Sequence, residues 1–334
     1  MRFLSVLVVC LGSLIFGVGS GLSQQPPRGS EVRYEARWDP QTSGVKDRLN
    51  AVHFIDPMVG WAAGAANTIL KTTDGGKTWA RLTERNESGP EFDRVNLVDT
   101  NEGWALSRSV LLHTTDGGSS WQPAAALPGG GGFGGGSMVG QVRYQMKVPT
   151  GGAGVFRSAD GGATWQDLGG EMPSNAYSAI YFVNSSHGWV SGDYGRFAFT
   201  EDGGKTWKAR TAPKANLAKV QFATTKHGWM LPVYHTGGPL VSEDGGNTWT
   251  SQYAGLETFV PLLDISFLNE NQGVLLSGKA VLRTVNGGKT WQTIGKMPSL
   301  TVTALSFPKI DEGWVVGEKG YIVHYHLVPV QGNR

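Results

Sequence analysis

The sequence predicts an all-β fold, a seven-bladed β-propeller of four-stranded blades, and three observations carry the prediction. An eight-residue turn motif, first seen at Thr72-Thr-Asp-Gly-Gly-Lys-Thr-Trp79, occurs six times. A Gly-Trp or Gly-Val pair recurs about 13 residues ahead of the turns. No stretch after residue 23 shows helical periodicity. Units of about 42 residues that repeat in this way are typical of propeller blades.

The turn motif predicts a tight connection between two strands. Its acidic or amide position is occupied by Asp74, Asp116, Asp160, Asp202, Asp244 and Asn286. Such a side chain accepts hydrogen bonds from backbone N–H groups just ahead of it, and the Gly pair permits positive φ. Copies 42 or 44 residues apart lie on separate units and do not converge. We therefore expect these six residues to build the fold, and not to act as catalytic carboxylates or metal ligands.

The Gly-Trp and Gly-Val pairs raise the count to seven units. They begin at Gly60, Gly103, Gly188, Gly228, Gly273 and Gly313. A slot near Lys147 lacks the pair. A short apolar stretch such as Leu49-Asn-Ala-Val-His-Phe54 comes before the pair, so each unit offers four strands: this stretch, the Gly-Trp strand, and the strands entering and leaving the turn.

The two ends of the chain predict how the ring closes. The last unit begins at Gly313 and ends without a fourth strand, whereas a spare strand, Val32 to Trp38, comes before the first unit. We predict that the spare strand forms the outer strand of the last blade. Trp38 then takes the place of the Trp that follows the other turns.

The first 23 residues are typical of a secretory signal peptide, so we divide the chain into a signal at 1–23 and one propeller at 24–334. A positive start, Met1-Arg2, is followed by an apolar run from Phe3 to Val18 and then by small residues. Lipidation at Cys10 is the alternative, but Val9 stands where a lipoprotein signal has a small residue. We expect an exported protein without a transmembrane segment after cleavage.

Composition excludes several classes of site. Cys10 is the single cysteine, so its removal leaves no disulfide, thiol nucleophile or Cys-ligated metal. Loss of Arg2 with the signal leaves 28 basic residues against 27 acidic ones, a net charge of +1 before histidine. This balance does not favour nucleic acid as a partner. We expect a monomer with no cofactor and no metal.

Two further features invite functional interpretations that we do not favour. The run Pro128-Gly-Gly-Gly-Gly-Phe-Gly-Gly-Gly-Ser137 is followed by a strand pattern, not a helix, so we predict a mobile surface loop at 129–136 and not a phosphate cradle. Basic residues precede five of seven turns, at Lys71, His113, Arg157, Arg283 and His324. We expect these side chains to lie over neighbouring Trp rings.

The turn motif is the Asp-box, or BNR repeat, of sialidases, some glycoside hydrolases, sortilin-type receptors and a photosystem II assembly family. The fuller pattern from Gly60 to Trp79 most resembles the photosystem II stability/assembly factor family, over essentially the whole mature chain. The resemblance implies a periplasmic or thylakoid-lumenal scaffold that binds membrane-protein assembly intermediates, in oxygenic phototrophs the precursor D1 subunit. The chain departs from the family in lacking a dense arginine patch and a convincing lipoprotein Cys.

The competing class is an enzyme, either a sialidase or a two-carboxylate glycoside hydrolase. A sialidase carries an early Phe-Arg-Ile-Pro type segment, which this chain lacks. A two-carboxylate glycosidase remains open, because its acids can lie on different blades and leave no local motif. We favour a non-enzymatic binding propeller, since no acid, base and nucleophile occur together in a local pattern.

Ligands of propellers usually meet the face formed by the turns between second and third strands and by the links between blades. We expect a protein partner to contact that face. The candidate contact residues are Arg85, Arg94, Tyr177, Asp193, Tyr194, Arg196, Tyr234 and His235.

Overall fold

Antiparallel β-strands make up nearly all of the regular structure. A computed structural model describes residues 7–8, 33–148, 154–168, 177–213, 216–233, 238–252, 261–297 and 301–330. Within these ranges the strands form seven antiparallel sheets, six with four strands and one with five. The predicted seven-bladed propeller of four-stranded blades is therefore confirmed.

The strands follow one another from the innermost to the outermost position of each blade. The chain starts with β1 (Leu7–Val8) and β2 (Arg33–Thr42). Blade 1 contains β3 (Leu49–Phe54), β4 (Gly60–Gly64), β5 (Thr68–Thr72) and β6 (Ala80–Arg81). Blade 2 contains β7 (Arg94–Leu97), β8 (Gly103–Leu106), β9 (Leu111–Thr114) and β10 (Gln122–Pro123). Blade 3 contains β11 (Gly132–Val139), β12 (Val142–Val148), β13 (Val155–Ser158) and β14 (Gln166–Asp167).

The second half of the ring repeats the arrangement. Blade 4 contains β15 (Tyr177–Phe182), β16 (Gly188–Gly192), β17 (Arg196–Thr200) and β18 (Lys208–Thr211). Blade 5 contains β19 (Asn216–Phe222), β20 (Gly228–Val233), β21 (Leu240–Ser242) and β22 (Thr250–Ser251). Blade 6 contains β23 (Leu262–Phe267), β24 (Gly273–Ser277), β25 (Ala280–Thr284) and β26 (Gln292–Lys296). Blade 7 contains β27 (Val302–Lys309), β28 (Glu312–Gly317), β29 (Tyr321–Val330) and then β2. Single turns of 3-10 helix lie at Asp193–Gly195 and Glu318–Gly320.

Strand β2 closes the ring as predicted. It pairs with β29 along its whole length, from Arg33↔Val330 to Thr42↔Tyr321, and so extends beyond the predicted end at Trp38. The Trp38 indole N–H donates to the Ile294 carbonyl of blade 6 at 2.9 Å. Strand β1, within the predicted signal peptide, pairs with the outer edge of β2, and the rest of that peptide lies outside the described residues.

The core consists of seven hydrophobic clusters, each shared by two neighbouring blades. A ring stack recurs within them, as where Trp314 of blade 7 lies 3.5 Å from Phe54 of blade 1. The same Phe explains the Gly of the Gly-Trp pair, because a Cβ on Gly60 would lie 2.5 Å from the Phe54 ring. Blade 3 lacks the pair, and Arg143 and Tyr144 occupy its place.

The turn motif fixes its own conformation. The Asp74 carboxylate accepts hydrogen bonds from the Thr78 backbone N–H at 2.9 Å and from the Thr78 hydroxyl at 2.6 Å. These bonds lower the pKa of Asp74 to about 2, and the bond from the hydroxyl has the largest effect. In the last copy the Asn286 amide donates to the Thr290 hydroxyl at 2.9 Å, so an amide replaces the carboxylate without loss of a bond.

The prediction of a mobile loop at 129–136 was wrong for residues 132–136, whereas 129–131 lie outside the strands. Residues from Gly132 onward form β11, the innermost strand of blade 3. The space beside this strand is already filled: a Cβ on Gly136 would lie 2.5 Å from the Arg143 guanidinium, and one on Gly135 would lie 2.9 Å from a backbone carbonyl. Backbone pairing with β12 supplies the order that the missing side chains do not.

Candidate functional site

The linker face, as we call it, carries the turns between second and third strands and the links between blades. Three of the predicted contact residues lie together there, in the 3-10 turn of blade 4 and directly after it: Asp193, Tyr194 and Arg196. Arg85 lies on the link from blade 1 to blade 2. Tyr234 and His235 lie outside the described residues.

Tyr194 projects from this face and is 76% exposed. Its backbone is left-handed, with φ of 57°, and its N–H donates to the Asn216 side chain at 3.3 Å. The Arg196 guanidinium lies 5.6 Å from the Tyr194 ring and donates to the Asp193 carbonyl at 3.4 Å. The Asn216 side chain thus braces the backbone of the turn, and the Tyr194 ring lies exposed outside it.

The matching turn of blade 7 has the same geometry with a different side chain. Lys319 has φ of 56° there, followed by Gly320. The exposed aromatic at Tyr194 is therefore not required by the turn itself. Tyr and Arg are the residues that most often dominate protein interfaces.

Arg85 is engaged within the chain. Its guanidinium pairs with Asp47 at 3.1 Å and with Glu87 at 2.8 Å. Burial would raise the pKa of Asp47, but hydrogen bonds from Arg85 and Arg81 hold it below its usual value. This network orders the link between blades 1 and 2.

Two predicted loop residues lie elsewhere. Tyr177 begins β15 and is 5% exposed, packed in the cluster between blades 3 and 4, and burial raises its pKa. Arg94 begins β7 and lines the central channel. Both were expected on loops because the start of an innermost strand directly follows a link, and the sequence does not mark the boundary.

The innermost strands enclose a central channel of about 590 Å³. Many of its polar side chains bind the backbone of the next blade: His53 Nδ1 accepts from the Leu97 N–H at 2.9 Å, and the Ser306 hydroxyl accepts from the Phe54 N–H at 2.9 Å. Burial, and then Lys219, lower the pKa of His53 to about 4, so it is neutral at pH 7. These polar residues join blades.

The channel offers no free pair of carboxylates for glycoside hydrolysis among the residues described. Asp264 pairs with Lys219, and its second oxygen accepts from the Leu305 N–H at 3.0 Å. Asp93 is the other acid on the wall, and burial raises its pKa. The described ranges also contain no group of three or more His, Cys, Asp or Glu side chains able to hold a metal ion.

The basic residues ahead of the turns stack on Trp as expected in three blades. Lys71 lies 5.9 Å from the Trp61 ring and donates to the Gly117 carbonyl at 2.9 Å. His113 stacks on Trp104, and His324 stacks on Trp314. The Lys71 hydrogen bond crosses from blade 1 to blade 2, whereas each histidine stacks on the Trp of its own blade.

Comparison with known sequences identifies the family of this chain. Residues 30–168 and 171–253 match the family model described as "Photosynthesis system II assembly factor YCF48". The chain belongs to this family. A similar relative is the photosystem II assembly lipoprotein Ycf48 of Synechococcus sp. strain CC9902, 26% identical over 97% of this chain and 98% of the relative. The photosystem II assembly protein Ycf48 of Thermosynechococcus vestitus is 30% identical over 87% of this chain and 84% of its own length.

Solved structures show the same architecture. "YCF48 bound to D1 peptide" superimposes with a TM-score of 0.70 and 25% identity, covering 86% of this chain and 96% of that one. A GH74 xyloglucanase from Xanthomonas campestris, 13% identical with a TM-score of 0.65, shares the fold alone. Within the residues that the structure describes, no helix is long and apolar enough to cross a membrane.

Proposed function

We propose that this protein is exported and acts as a non-enzymatic scaffold in photosystem II assembly, where it binds a membrane-protein subunit of the D1 type. The observation that carries the proposal is the match over 86% of this chain to the solved structure of a family member, YCF48 bound to D1 peptide. Export is supported by the N-terminal pattern of residues 1–23 and by relatives named as lipoproteins.

The turn at Asp193–Gly195 is the best candidate for the contact with the partner. It presents an exposed aromatic ring, with a guanidinium beside it, on the linker face. We predicted Arg94 as a contact residue too, but we exclude it from this turn because it lines the channel.

A non-enzymatic role is supported by the state of the channel acids. Asp264 has both oxygens engaged, so it is not free to donate a proton or attack a sugar. Glycosidases need two carboxyl groups that are free to act on opposite sides of the bond.

The test is capture of D1-containing complexes from detergent-solubilised thylakoid membranes by the tagged, purified protein. We expect the Tyr194→Ala/Arg196→Ala variant to bind roughly tenfold more weakly than the parent, as for loss of an interface hot spot. Lys319→Ala is the matched control, because it alters the same kind of turn in blade 7. Equal capture by parent and double variant would rule out this turn, and hydrolysis of neutral or sialylated glycans, abolished by one carboxylate substitution, would overturn the proposal.

A further inference from the structure

Two guanidinium groups lie against one wall of the central channel. The wall is the backbone of Gly134, Gly135 and Gly136 in β11, which we call the glycine wall. A Cβ on Gly135 would lie 3.2 Å from Arg94 Nη1, and one on Gly136 would lie 2.5 Å from Arg143 Nη2. Glycine at both positions leaves room for the two groups in this arrangement.

Burial lowers the pKa of Arg94, and Asp93 and Asp264 oppose this effect, but neither guanidinium forms an ion pair with a carboxylate among the described residues. Arg94 forms no hydrogen bond or ion pair with them. Arg143 is 1% exposed and donates from Nε and Nη2 to the Gln145 side-chain oxygen, at 3.1 and 2.9 Å. Its buried Nη1 has no acceptor within the same ranges.

Packing accounts for the stacked face of the Arg143 guanidinium but not for its unpaired N–H group. Its guanidinium lies 4.8 Å from the Trp104 ring and fills the place that a Phe ring takes in other blades. A stack of this kind uses the face of the group, not its N–H edge. A buried N–H without an acceptor, on a charged group, destabilises the fold unless an anion is near.

The electrostatics of the wall favour an anion. On the channel lining, Arg94 and Lys219 face two acids, Asp93 and Asp264, and Lys219 is already paired with Asp264. Arg143, buried behind Gly136, adds a third positive charge. Burial, and then Arg94, lower the pKa of Arg143 to about 9. The two guanidinium groups therefore repel each other across a segment that carries no side chain.

We propose that the central channel binds a small oxygen anion, of the phosphate or sulfate type, at the glycine wall. Arg94 bonds the anion directly, since guanidinium groups match the oxygens of such ions in pairs. Arg143 supplies a second positive charge from behind the wall. The channel, at about 590 Å³, has room for the ion and its water.

Titration calorimetry of the whole purified protein with inorganic phosphate, and separately with sulfate, tests the site. Sodium chloride of equal ionic strength is the reference, because it screens surface charge without offering oxygens. We expect one saturable site in the parent, at least tenfold weaker in Arg94→Gln and partly restored in Arg94→Lys. Arg210→Gln, which alters an exposed guanidinium on the outermost strand of blade 4, is the matched control and should bind as the parent does.

A second variant tests the charge behind the wall. Arg143→Met keeps an apolar cover on Trp104 and removes the charge, so we expect several-fold weaker binding in protein whose circular dichroism matches the parent. No saturable binding in the parent would overturn the proposal, as would equal phosphate affinity in the parent and Arg94→Gln, or an equal loss in Arg210→Gln. Tyr194→Ala/Arg196→Ala should keep the anion site, which separates this result from the assembly role.

Discussion

The Asp202 carboxylate shows what a single residue of the turn motif does. It accepts hydrogen bonds from the Thr206 N–H at 2.9 Å and from the Thr206 hydroxyl at 2.6 Å. Partial burial would raise the pKa of Asp202, but these bonds lower it to about 2. Its acceptor capacity is used inside the turn, so the depressed pKa reflects structure and does not mark a catalytic acid.

Asp202→Ala should lower the free energy of unfolding by roughly 1–2 kcal/mol, because the turn loses its acceptors. Asp202→Asn should cost much less, since Asn286 makes the equivalent bonds to Thr290. Urea unfolding of both variants beside the parent checks the pair. Equal losses in the two variants would mean that charge, and not hydrogen bonding, holds the turn.

Tyr194 and Tyr177 show that the exposure of a side chain could not be predicted from the residue and its neighbours in sequence. Both are tyrosines near the junction of a strand with the linker face, yet one is 76% exposed and the other 5%. The difference comes from position: Tyr194 occupies a left-handed turn, whereas Tyr177 starts an innermost strand between two blades. No local pattern separates these settings before the register is known.

Among the blades, blade 3 packs its two inner strands with a different pair of residues. Five blades place a Phe from the innermost strand over the Gly of the next strand, as with Phe182 and Gly188. In blade 3 the paired positions hold Met138 and Arg143. The glycine at 136 follows from this exchange, because Arg143 lies in the space that a side chain there would take.

Met138→Phe and Arg143→Gly together should be better tolerated than the sum of the single changes. Arg143→Gly alone removes the cover from Trp104 and should cost roughly 2–4 kcal/mol, as for a large cavity. Met138→Phe alone crowds the occupied space and should also destabilise. A double-mutant cycle by chemical unfolding measures the coupling. Additive losses would contradict the equivalence of the two packing pairs.

At the scale of the whole molecule, the number of blades and the closure of the ring followed from repeat spacing alone. A step of about 42 residues with four strand-length segments allows few architectures, and the missing last strand required the spare one at the start. The site was less predictable. Arg94, Lys219 and Asp264 line the same channel from three blades, so their placement depends on the ring and leaves no trace in local spacing.

Strand β2 closes the ring, so its removal should destabilise the whole propeller. Deleting residues 24–42 removes this strand with Trp38, exposes the edge of β29 and opens the cluster between blades 6 and 7. We expect a lower Tm and aggregation, because a long unpaired edge pairs with other chains. A deletion of 24–31, which ends before β2, is the matched control and should behave as the parent. Thermal unfolding with light scattering checks both forms, and a monodisperse 24–42 deletion with unchanged Tm would show that the strand does not stabilise the ring.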